Sequence, residues 1–184
     1  MRFGILAAMA AVALAGLAVG GAWAQGSYAG QQARAIKALS AEETENLLEG
    51  RGMGLARAAE LNRYPGPMHL MELAKELGIS DADAAKIRAV YAPMRTEAQA
   101  IGQQIVAAET ELDTLFAGGK VDAASVAALT AKIGALQGKV RAVHLNAHLA
   151  VRPLLSAETV ARYDSLRGYG GGNAPPHHGA GHRH

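Results

Sequence analysis

The sequence predicts an all-α fold, a long antiparallel helical hairpin with short flanking helices folded back on it. Two observations carry this reading. The first is composition: half of the 184 residues are apolar, yet only 2 Phe, 1 Trp and 5 Tyr supply aromatic bulk. Alanine fills much of the rest, a mixture that suits close-packed helices better than a sheet. The second is a pair of heptad seams. Ile87, Tyr91, Met94, Ala98, Ile101, Ile105, Ala108, Leu112 and Leu115 step by four and three without a fault. After Gly118-Gly119 the pattern resumes at Val126, Leu129, Ile133, Leu136, Val140, Val143 and Ala147. Ser80 and Asp122 are suited to cap the two helices, and Pro153 closes the second. At 1.5 Å per residue the arms would be about 55 and about 46 Å long. A connection this short forces them to lie antiparallel.

The other elements follow in chain order. Arg2 precedes an apolar run from Phe3 to Val19, and Ala22-Trp23-Ala24 offers a signal-peptidase site before Gln25. Residues 1–24 therefore read as a cleaved signal peptide, with an N-terminal membrane anchor as the alternative. Either way the rest of the chain is expected in an extracytoplasmic compartment, which the family resemblance given below narrows to the periplasm. Residues 25–39 are Gly/Gln/Ala-rich and read as a flexible segment. Ser40-Ala41-Glu42-Glu43 is a capping box that opens a short helix to Leu48, stopped at Gly50. Leu55 to Leu61 reads as another short helix, Tyr64-Pro65-Gly66-Pro67 as a break, and His69 to Leu77 as one or two further turns. Ser156 starts a last helix through Val160, Tyr163 and Leu166, ending at Gly168. The helical domain thus spans 40–168. The Gly/Pro/His-rich tail, 169–184, has no apolar face and is expected to be disordered. A hairpin this long is also expected to form a homodimer, to cover its apolar seam.

Several function classes drop out. With 18 basic against 16 acidic residues there is no basic surplus for a nucleic-acid partner. Zero Cys excludes disulfides, thiolate metal sites and a cysteine nucleophile. H-E-x-x-H, G-x-S-x-G and the P-loop are absent, and a slender hairpin seldom supplies a catalytic pocket. The chain reads as non-enzymatic, with no catalytic residues.

The histidines are the chemistry-bearing residues. His144 and His148 are one turn apart on one helical face, a spacing that can place two imidazoles on one metal ion. In the hairpin register His144 lies level with Met94 and Arg95, and His148 with Tyr91. His69 precedes the first arm, and a fold-back after Pro65-Gly66-Pro67 would carry it to the same end. Glu72, one turn after His69, is either a further ligand or a solvated charge. His177, His178, His182 and His184 form a compositional tract suited to weak metal scavenging.

The pattern also resembles a known family. A signal peptide, a Gly/Pro hook, a two-arm hairpin and a repeat at the arm ends are similar to the periplasmic Spy/CpxP/ZraP group with its twice-occurring L-T-x-x-Q motif. The matching positions here are Ile79-Ser80-Asp81-Ala82-Asp83 and Leu155-Ser156-Ala157-Glu158-Thr159, with Ser as cap and no Gln. The segment Arg141–Leu166 looks like the H-x-x-x-M segment and following helix of the CnrX-like heavy-metal resistance and sensor branch. His148 stands where that branch has Met, and His69 looks like the first His of its upstream H-x-x-x-H, whose second is Leu73 here. The branch's carboxylate ligand falls near Tyr91.

The resemblance implies a divalent transition metal at His69, His144 and His148, used for sensing, buffering or resistance. Imidazole donors without thiolate suit zinc, copper or nickel. A metal-independent periplasmic chaperone or envelope-stress regulator is the alternative. Partners expected on these readings are a second copy of the chain, a membrane sensor or unfolded periplasmic clients.

Overall fold

The computed structural model describes residues 27–169, and this part of the chain is helical, with no strand. The expected signal peptide and nearly all of the tail, with its four histidines, lie outside the described residues. Among the described residues no helix is long and apolar enough to cross a membrane.

Among the described residues seven α-helices follow one another: α1 (Ala41–Leu48), α2 (Arg57–Glu60), α3 (Pro67–Glu72), α4 (Ala74–Leu77), α5 (Asp81–Ala117), α6 (Ala123–Val151) and α7 (Ala157–Leu166). The caps are the expected ones. Ser40, Ser80, Asp122 and Ser156 each accept a bond from the backbone amide three residues on, which satisfies a donor the first helical turn leaves free. Between the long arms, Gly119 takes φ 63° and lets Lys120 bond back to Leu115. This left-handed step closes α5 in a Schellman turn and reverses the chain. Pro93 sits inside α5 without ending it. It lies on the exposed face, and its ring removes only the bond to the carbonyl of Ala89.

α5 and α6 form the hairpin, and every seam residue predicted for the two arms is buried or half-buried. The rest of the chain covers the hairpin in two places. Near its middle, Leu47 of α1 packs with Ala98, Ile101, Ile105 and Val140. At its open end, α3, α4 and α7 gather Leu70, Leu77, Val160 and Tyr163 around Ile87, Val151 and Leu155. The seam is thus largely closed within one chain.

Two details differ from the sequence reading. The stretch from His69 to Leu77 is two helices, because at Leu73 the chain leaves α-geometry (φ −100°, ψ 13°). The segment before α1 is also tied down at its far end. Ile36 is buried, and Lys37 bonds Asp113 on α5 through both its backbone amide and its ammonium group.

Candidate metal centre

The two apolar cores leave a gap between them, at Tyr91, Met94 and Arg95 on α5 and at His144, Ala147 and His148 on α6. The chain from Gly50 to His69 crosses this gap and roofs it. The result is a cavity of about 880 Å³ lined by those residues together with Glu60, Gly66, His69, Arg167 and three glycines around Met53. A bare hairpin would have no such pocket. The fold-back segment supplies the wall that the sequence reading did not foresee.

All three predicted histidines reach this cavity, in different states. His144 is 5% exposed, and its Nε2 is buried with no hydrogen-bond partner. Burial, and secondarily the neighbouring His148, push its pKa below the ordinary histidine value, so at pH 7 it is neutral, the form that coordinates metals. His148 places Nδ1 2.7 Å from the backbone carbonyl of Tyr64. A carbonyl only accepts, so Nδ1 carries a proton, and in the neutral ring the Nε2 lone pair is left free. Metal-bound imidazoles are oriented by this kind of second hydrogen bond.

His69 is committed elsewhere. Its Nδ1 lies 2.8 Å from Glu72, and its Nε2 lies 3.3 Å from Nη2 of Arg167. Glu72 points its carboxylate at His69 and does not line the cavity. Among the described residues no three His, Asp or Glu side chains converge on one metal-sized point.

Three further residues belong to the surroundings of the cavity: Glu60 and Arg167, which carry no sequence signal, and Tyr163, which the sequence marks only as part of the apolar face of the last helix. Tyr163 is fully buried and donates a short hydrogen bond to Oε1 of Glu60, and Nε of Arg167 stands 3.7 Å from the same oxygen. Burial first, and the bond to Glu60 second, hold the Tyr163 phenol above the usual tyrosine range. It therefore stays a donor. Glu60 Oε2 lies 3.7 Å from Nδ1 of His148, too far for a hydrogen bond, and has no other partner. These residues are up to about a hundred positions apart in sequence, so no local spacing marks their meeting.

A family model described as heavy-metal resistance matches residues 3–162 of the chain. The chain belongs to the heavy-metal resistance family. Neither the curated proteins nor the solved structures compared with it gave a match. The match spans the whole hairpin and the roof of the cavity, so the resemblance read from the sequence holds at the level of the family. No three ligands converge in the cavity among the described residues, but its donor chemistry suits a metal ion in two respects. Its buried imidazole nitrogen without a partner, and a second imidazole with one nitrogen free, are donors of the kind that zinc, copper and nickel accept.

Proposed function

We propose that this protein is an exported, non-enzymatic binder of a divalent transition metal, acting in the periplasm in sensing, buffering or resistance. The observation that supports the reading best is the orphaned Nε2 of His144, buried in the same cavity as His148. A buried polar atom without a partner costs about 1–3 kcal/mol, and an ion that ligates it removes that cost. His144 and His148 are the central ligands in this reading. His69 joins them by releasing Arg167 and Glu72, which makes it the weakest of the three.

The test is calorimetric titration of the exported chain with Zn²⁺, Cu²⁺ and Ni²⁺. The double change His144→Ala and His148→Ala should abolish tight binding, and His69→Ala should weaken it to an intermediate degree. Replacing the four tail histidines should remove weak sites only. Tight binding that survives the double change but disappears with the tail histidines would refute the cavity as the site.

One observation favours a second reading, a chaperone for unfolded clients. Met53, Leu61 and Met68 line the cavity and are also 41%, 56% and 41% exposed, an apolar rim around its mouth. Suppression of client aggregation that persists in chelator would support this reading over the first.

A further inference from the structure

The three histidines named above leave the candidate site without a carboxylate, and Glu60 is a largely buried carboxylate on the same cavity. We propose that Glu60 fills this role, binding the metal through Oε2 alongside Nε2 of His148, across a gap kept open by Gly66. This assignment rests on the metal-binding reading above.

Three independent features point the same way. First, Glu60 is held for the task at one oxygen only. Its side chain is 12% exposed, Oε1 accepts from the Tyr163 hydroxyl, and Oε2 is buried without a partner. A closed structural ion pair with Arg167 would satisfy both groups, yet Nε of Arg167 stands 3.7 Å away and is itself without a hydrogen bond. Second, His148 is oriented in the same manner. Its Nδ1 is spent on the Tyr64 carbonyl rather than on Glu60, so the imidazole and the carboxylate each keep one donor atom uncommitted. Third, Gly66 is a glycine for a reason other than its backbone. Its φ of −84° and ψ of 145° suit any residue. A β-carbon there would stand 3.0 Å from Nε2 of His148, 2.9 Å from its Cε1 and 3.6 Å from Oε2 of Glu60. The space beside Gly66 is therefore bordered by both uncommitted donor atoms.

The donors bordering this space are a carboxylate oxygen and an imidazole nitrogen. That donor set is hard to borderline and favours Zn²⁺ or Ni²⁺ over a monovalent soft ion.

The experiment is Zn²⁺ calorimetry on the exported chain and on Glu60→Gln, Gly66→Ala and the His144→Ala/His148→Ala pair, with melting of each protein in chelator. Glu60→Gln keeps the size and an acceptor for Tyr163 while removing the charge. Its Zn²⁺ affinity should fall at least tenfold, with an apo melting temperature no lower than that of the parent. Gly66→Ala leaves the carboxylate in place and should also cost at least tenfold, by obstructing Nε2. Unchanged affinity in Glu60→Gln overturns the proposal. If Glu60→Gln does not fold, Gly66→Ala decides, and unchanged affinity there overturns it. Loss of binding in the histidine pair combined with full binding in Glu60→Gln would defeat only the Glu60 assignment. Full binding in the histidine pair would defeat the cavity reading as well.

Discussion

Gly102 of α5 lies directly beneath the backbone carbonyl of Leu47, so close that a β-carbon on it would overlap the carbonyl oxygen. This contact sets how near α1 can approach the hairpin, and hence how the chain leaving α1 enters the roof of the cavity. Gly102→Ala is expected to push α1 outward and open the Leu47, Ala98 and Ile101 packing. The cost should be about 3 kcal/mol, at the upper end for overpacking a close contact. Chemical denaturation checks it, and a loss below about 0.5 kcal/mol would show that α1 shifts freely.

The capping box of α1 gives a pH signature. Glu43 accepts a bond from the Ser40 amide (2.8 Å), and that bond first, the Ser40 hydroxyl second, lower its pKa. A lowered carboxylate pKa means that its stabilisation is complete above the ordinary glutamate value of about 4.3. It is lost as pH falls through the lowered value. Melting curves between pH 7 and pH 3 should fall more steeply for the parent than for Glu43→Gln. Ser40→Ala should cost about 1 kcal/mol at neutral pH.

Tyr163→Phe probes the support of Glu60. It removes the hydroxyl that satisfies Oε1 and leaves a largely buried carboxylate with neither oxygen bonded. A hydrogen bond to a charged group is worth about 1.5–3 kcal/mol, and the variant should lose that much apo stability. Adding Glu60→Gln to Tyr163→Phe should restore part of it, because the amide carries no charge. A double variant less stable than Tyr163→Phe alone would argue against this account.

The chain from Gln25 onward is expected to sediment as a dimer at micromolar concentration. Because the heptad seams are largely covered within one chain, the contact should draw on the exposed Met53, Leu61 and Met68 at the cavity mouth. Leu61→Asp should then shift the chain to monomer. A parent protein that sediments only as monomer would remove the dimer from the picture.

What could be read from the sequence was what is local. Heptad steps, Ser and Asp caps and the Gly118-Gly119 turn act within a few residues of themselves, and α5 and α6 begin and end where they indicate. The hairpin register also follows from a single short turn, which is why Tyr91 and Met94 are found in one cavity with His144 and His148. Glu60 was invisible for the opposite reason. On a four-residue helix it looks like any solvated charge, and only the docking of that helix against α6 and α7 buries it. Gly66 reads only as part of the Tyr64-Pro65-Gly66-Pro67 break, since nothing local shows that an imidazole 82 positions later rests against it. His69 was expected at the right end of the hairpin, and its attachment to Arg167 depends on where α7 comes to lie.

The bond from His148 to Tyr64 spans 84 positions of the chain. The hairpin that carries His144 and His148 closes through one tight turn and needs little chain entropy to form. The roof has to be threaded back over it by a much longer loop. Order of assembly therefore separates possession of the imidazoles from possession of the cavity. A chain clipped between α1 and α4 still displays two histidines on α6 but has no roofed site to offer. On the metal-binding reading proposed above, tight capture of an ion would report that two distant segments of the chain have met.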